Sequence, residues 1–185
     1  VTTSRTFAYQ VDAEDRLQSV SPDWVAFAQQ NQAPQLNAEA VVGQPLFGYI
    51  TGQETEHLYR LILDHVRRTG TPAVVPFRCD GPTVRRFMEL SIQPELSGAL
   101  TFEGRLLRVE ERDAMELFDP STSRSDERVT VCSWCKRVDA AGEWVEVELA
   151  VSRLGLFDSP LMPQLSHGMC PECAAKVLAD AGLDD

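Results

Sequence analysis

Four of the five cysteines in this 185-residue sequence fall into two short pairs near its end, Cys132-Ser-Trp-Cys135 and Cys170-Pro-Glu-Cys173. Each pair can turn two thiolates toward one point through a tight knuckle, and together they supply the ligand number of a closed tetrahedral zinc site. Thiol redox chemistry usually wants a single exposed, activated pair, so two pairs with ligand spacing fit a structural zinc better. A redox-active or disulfide pair is the competing reading. His167, three residues before Cys170, makes five candidates for four positions. A turn histidine that hydrogen-bonds the backbone or a thiolate is preferred to a ligand, which leaves Cys132, Cys135, Cys170 and Cys173 as the metal set.

The elements that must hold these cysteines can be read from the pattern. Cys170-Pro171 opens an amphipathic helix with Ala174, Val177, Leu178 and Ala181 on its apolar side and Gly182 as its stop. Its N-terminus favours thiolate, and a knuckle followed later by two ligands in the first turn of a helix is a treble-clef-like layout. Trp134, Trp144, Leu154, Leu156 and Phe157 are expected to form a small core beside the metal, marginal without the ion.

Upstream, Phe7, Tyr9 and Val11 alternate with polar neighbours, and Asp12 to Asp15 supplies a turn before Leu17 to Val20, which predicts a hairpin. Ser21 caps a helix beginning at Pro22. Thr51 and Glu54 form a capping box for a second helix with the stripe Leu58, Leu61, Ile62 and Val66, stopped by Gly70. The period then becomes alternating. Three strands are expected, over Ala73 to Cys79 with Pro76 confining it to an edge, around Arg86 to Ile92, and from Ala99 to Glu110 with a bulge at Gly104. The fold class is α+β, a five-stranded antiparallel sheet with its helices on one face plus the small zinc module. Residues 1–111 make the first domain, 112–126 a linker and 127–185 the cysteine module.

The order of these elements, with Val42-Gly43-Gln44-Pro45-Leu46-Phe47 before the long helix and the Phe77 to Asp80 and Arg85 to Phe87 strand pair after it, resembles a bacterial PAS domain. The tail, with Cys132-Ser-Trp-Cys135-Lys136, Trp144 and Ser166-His167-Gly168-Met169-Cys170-Pro171-Glu172-Cys173, resembles a cysteine-rich module found beside PAS or receiver domains in bacterial signalling proteins. The resemblance implies a signalling role with a protein partner, a ligand cavity between sheet and helices, and a dimerisation helix of which Ala114 to Phe118 would be the stub. By position, Trp24, Phe27, Phe47, Tyr49, Leu58, Leu61, Met88 and Leu90 would line the cavity. The same residues could instead fill it and leave a docking unit, and composition does not separate the two. Some PAS domains hold haem through a histidine on the long helix. His57 and His65 are ordinary for such a helix, and haem is not expected.

Charge and hydropathy narrow the function. The net charge is −11, with ten arginines against fourteen acidic residues in 1–111 and seven basic against fourteen acidic in 112–185, which argues against a nucleic-acid partner. No apolar run approaches a membrane span, and the paired cysteines fit a reducing cytoplasm. Kinase, cyclase, serine-nucleophile and phosphate-loop motifs are absent, so the expectation is a regulatory protein rather than an enzyme. The alternatives are a thiol and zinc redox sensor and, behind it, a thiol oxidoreductase, for which the chain lacks the βαβ pattern. Cys79 reads as a packed, inert thiol. Arg78, Asp80, Arg85 and Arg86 read as a charge network, with an anion site as the competing reading.

Overall fold

The computed structural model describes residues 6–31 and 33–182, with the side chain of Phe157 outside the described set. Strands β1 (Thr6–Val11) and β2 (Leu17–Val20) form the expected hairpin, followed by helices α1 (Pro22–Gln30), α2 (Ala38–Val41) and α3 (Gln53–Thr69) and by strands β3 (Ala73–Arg78), β4 (Val84–Pro94) and β5 (Leu100–Glu111). The strands pair in the order β2-β1-β5-β4-β3, antiparallel throughout. Alternation sets the inner face: Val11, Leu100, Phe102, Leu90, Ile92, Ala73 and Val75 are buried against Leu58, Ile62, Leu63 and Val66 of α3. This is the PAS-like α+β architecture that the sequence predicts.

Local signals explain most element ends. The Ser21 hydroxyl accepts from the Trp24 amide at 3.1 Å, with Pro22 at the first helical position. Gly70 stops α3 at φ 68°. Pro76 lies in β3, an edge strand, where its missing N–H breaks no ladder. Two expectations fail. The Thr51 and Glu54 capping box does not form, because the N-cap is Gly52 at φ 95° with no side-chain cap. The register shifts of this sheet lie between Gln10 and Val11 and between Phe87 and Met88, whereas Gly104 stays in register, opposite Phe7 on one side and Leu90 on the other.

A second sheet, β8-β7-β6-β9, is built from β6 (Arg124–Cys132), β7 (Val138–Ala140), β8 (Glu143–Val145) and β9 (Met162–Gly168), with helix α4 (Val147–Arg153) between β8 and β9 and α5 (Pro171–Asp180) last. Its own core is Leu117, Val131, Val138, Val145, Val147, Ala150, Val151, Leu156 and Met162 with Met115. The segment 112–126, read from the sequence as a linker, therefore contributes two core residues. Glu116–Phe118 is a single 3₁₀ turn with Leu117 fully buried, not the stub of an outgoing helix.

The two sheets share packing. Cys132, Trp134, Cys170, Val177 and Ala181 belong to the same cluster as Leu58 and Ile62. Trp134 and Trp144 thus pack toward the first sheet rather than forming the expected separate core with Leu154 and Leu156. No helix among the described residues is long and apolar enough to cross a membrane.

Candidate metal centre and adjoining cavities

The turn between β6 and β7 carries Cys132 and Cys135. The Cys132 amide donates to the Arg137 carbonyl at 2.8 Å and the Lys136 amide to the Cys132 carbonyl at 3.1 Å, closing the turn. Lys136 takes the left-handed conformation, φ 62°, that such turns usually give to glycine. Its ammonium donates to the Ser133 carbonyl at 2.8 Å, which ties the strained residue down. The other pair comes from α5, with Cys170 at the N-cap and Cys173 in the first turn.

The four sulfurs lie within 4.8 Å of one another. Cys135 Sγ and Cys170 Sγ are 3.8 Å apart. A tetrahedron with zinc–sulfur bonds of about 2.3 Å has edges of about 3.8 Å, the separation of Cys135 and Cys170, so the cluster is close to the size that ion needs. Backbone amides point at the sulfurs, from Cys170 to Cys132 Sγ at 3.4 Å and from Cys173 to Cys170 Sγ at 3.4 Å. Such N–H donors stabilise thiolate charge.

The electrostatics make the same point. Hydrogen bonds from the Cys135 and Cys173 thiols hold Cys132 far below the ordinary thiol range. Donation to Cys132 pushes Cys135 up to about 12, and donation to Cys132 and Cys135 drives Cys173 strongly upward as well. One thiolate held by neighbouring thiols leaves the others no reason to ionise unless a cation enters. The donor set fits zinc, which would be held by Cys132, Cys135, Cys170 and Cys173. His167 is exposed on β9, paired in register with Val131, and stands outside the group.

The centre is seated on the first sheet and on α3. The Arg78 amide at the end of β3 donates to the Trp134 carbonyl at 2.7 Å. Thr55, buried in the first turns of α3, donates to the Ser133 hydroxyl at 2.8 Å. A Cβ on Gly52 would collide with the His167 carbonyl oxygen, so the start of α3 lies directly against β9. The Tyr59 and Trp134 rings are in contact, 5.3 Å between centroids.

A charge network fastens the other end. Arg78 pairs with Asp80 and with Glu146, at 2.8 Å to the latter. Arg85 pairs with Glu148 at 2.5 Å, and Arg112 reaches Asp80 at 3.4 Å. Burial lowers the Arg78 pKa, but hydrogen bonds and attraction from Asp80 and Glu146 outweigh it and leave a net rise. Arg78, Arg85 and Arg112 each have an acidic partner, which favours the network reading over an anion site. Arg86 takes no part and donates to the Cys79 carbonyl at 3.3 Å. Burial raises the Cys79 thiol pKa, consistent with a packed, unreactive side chain.

Two cavities flank this joint. The first, about 190 Å³, lies between the sheet and the helices and is lined by Tyr9, Leu17, Trp24, Leu36, Val41, Leu46, Tyr49, Ile50 and Tyr59. Burial raises both the Tyr9 and Tyr59 phenols, the latter to about 12. Of the residues predicted to line it, Trp24 and Tyr49 do. Phe27 packs on Phe7, Phe47 lies under the Arg60 guanidinium, Leu58 and Leu90 are in the core, and Leu61 faces outward. Neither His57 nor His65 lines it. Tyr59 could have been found from its spacing on α3, four residues after Thr55 and three and four before Ile62 and Leu63. Tyr9 was read only as a strand residue.

The second cavity, about 280 Å³, lies between the end of the first sheet and the cysteine module. Pro76, Phe87, Met88, Leu107, Trp134 and Val177 give it apolar walls, and Cys135, Cys173, Arg137 and Lys176 also border it. Met88, predicted for the interior cavity, lies here instead. Sequence patterns gave no sign of this space, because it forms between residues from opposite ends of the chain.

No family model matches the sequence, and no curated protein matches it. Among solved structures, the chain is similar to a domain of an HTR-like protein from Haloarcula marismortui ATCC 43049, at 16% identity over 56% of this chain and 98% of that one, TM-score 0.40. It is also similar to the photoactive yellow protein domain of the sensor histidine kinase Ppr from Rhodospirillum centenum (14%, 54% and 90%, TM-score 0.40). A third is the Aer2 receptor from Vibrio cholerae, described as a dual PAS-heme oxygen sensor (13%, 57% and 96%, TM-score 0.39). These likenesses are weak, and the fold assignment rests on the strand order and helix placement.

Proposed function

We propose that the chain is a non-catalytic signalling protein in which a PAS-like domain takes a small ligand in the cavity under α3 and a structural zinc module reads the state of that helix. The observation that carries the reading is the dual position of α3. Its Tyr59 lines the interior cavity, while its Thr55 and Tyr59 touch Ser133 and Trp134 of the cysteine turn. A ligand that shifts the α3 face by part of an ångström must repack that contact, since packed interfaces do not deform continuously. The zinc supplies rigidity to the reading side and no reaction. The cavity is mainly apolar with three tyrosines in its lining, which suits a small ring compound bearing one or two polar atoms.

Hydrogen exchange with and without a chelator tests the coupling. Zinc removal is expected to lower protection in α3 around Thr55 to Tyr59 while leaving the β1–β5 pairing protected. Equal protection of α3 in both states would show that the module does not hold the helix.

A further inference from the structure

The four sulfurs of the cluster are not equivalent. Cys132 and Cys170 are buried, with 0% and 1% of their surface exposed, whereas Cys135 and Cys173 are half-buried and border the second cavity. Arg78, Arg137, Glu172 and Lys176 also border that cavity. Arg137 is paired with Glu172, and Lys176 lies 3.4 Å from Asp180. The buried sulfurs receive backbone N–H donors, from Cys170 to Cys132 and from Cys173 to Cys170. Cys135 also takes a backbone hydrogen bond, from Arg137, so burial is what separates the pairs: one is enclosed, and the other faces a largely apolar space open to small molecules.

We infer that Cys135 and Cys173 form a modification site for small, uncharged carbon electrophiles with an apolar body, such as enones and quinone-type rings, which the second cavity gathers against the zinc-bound sulfurs. This rests on the zinc reading above and extends it to a reaction. In the step, the thiolate sulfur bonds the β-carbon of the electrophile, and the carbon–carbon π pair moves onto the carbonyl oxygen as an enolate. The α-carbon then takes a proton from water. No oxidant or reductant is consumed. The product is a thioether, a far weaker ligand for zinc than a thiolate, so the adduct loosens the joint that holds α3. An apolar body is favoured because it packs on phenyl, indole and aliphatic walls, while the charged groups at the border are held in ion pairs, Arg78 with Asp80 and Glu146, Arg137 with Glu172 and Lys176 with Asp180.

The test uses the full chain with its zinc content measured first, which separates failure of the metal reading from failure of this inference. N-ethylmaleimide and N-phenylmaleimide are added at one equivalent, adducts are located by peptide mass spectrometry, and glutathione serves as the reference thiol. The first adducts are expected on Cys135 or Cys173, accompanied by zinc release. The phenyl reagent should be preferred about fivefold more by the protein than by glutathione, the gain from burying roughly 40 Å² of ring. Leu107→Trp, a substitution at an exposed wall residue that narrows the cavity, should reduce that preference with zinc content unchanged. Lys176→Trp provides the same block from the module side should the first variant fold poorly. First modification at Cys79, Cys132 or Cys170, or a reagent preference equal to that of glutathione, would overturn the inference.

Discussion

The rings of Tyr59 and Trp134 touch at 5.3 Å between centroids with planes tilted by 44°, and each ring lines a different cavity, Tyr59 the interior one and Trp134 the one beside the cysteines. They stand between the PAS-like interior and the cysteine cluster. A double-mutant cycle with Tyr59→Leu and Trp134→Leu should give a coupling of about 0.5–1.5 kcal/mol in denaturant unfolding. Strict additivity would mean that the contact carries no energy.

The start of α3 depends on a glycine for two reasons. At φ 95°, Gly52 is in a region that side chains rarely adopt, and a Cβ there would also meet the His167 carbonyl. Gly43, at φ 85°, has nothing within 4 Å of a built Cβ. Gly43→Ala should cost about 1 kcal/mol, from backbone strain alone. Gly52→Ala should cost more than about 2 kcal/mol, because β9 must also move. Equal losses in thermal unfolding would contradict the close docking of α3 on β9.

In the ion network, Asp80 has a fully buried side chain that faces two arginines, whereas Glu146 is 41% exposed. Asp80→Asn leaves the Arg78 and Arg112 charges short of a partner and should destabilise by about 3–5 kcal/mol. Glu146→Gln, with water at hand, should cost no more than about 1 kcal/mol. A reversed order would remove Asp80 from the centre of the network.

The Tyr59 phenol gives a pH dependence. Its pKa in the folded chain is about 12 against an ordinary value of 10.0, because burial penalises the phenolate. Above the ordinary value the unfolded chain loses this proton while the folded chain keeps it, so stability falls as pH rises. The contribution is whole below about pH 10 and is lost between about pH 10 and 12, near 3 kcal/mol in all. Tyr59→Phe should flatten that part of the profile. An unchanged profile would place the phenol in contact with water.

The first sheet was legible because its signals are local. Alternation in β1, β4 and β5, Ser21 with Pro22, and Gly70 after α3 each act within a few residues. The meeting of the four cysteines was legible for the same reason, since spacing within each pair fixes the knuckle and the helix start. What the sequence did not disclose depends on contacts far apart in the chain. Gly52 replaces the Thr51 and Glu54 box because His167 approaches from more than a hundred residues away. Trp134 joins the core of α3 rather than its own module, and Leu107 and Val177 enclose a space that neither segment predicts alone. Leu61 was misplaced by one position on the helical face, where Thr55, Leu58, Ile62 and Val66 point inward.

Native mass spectrometry of chain purified without chelators or metal-affinity resin measures the central claim most directly. The account predicts one zinc per chain with all four ligand thiols committed, full retention of the ion in His167→Ala, and its loss in Cys170→Ser together with cooperative thermal unfolding of the β6–β9 sheet. A folded, fully reduced chain that carries no metal, or a His167→Ala variant that loses most of it, would contradict the four-cysteine centre.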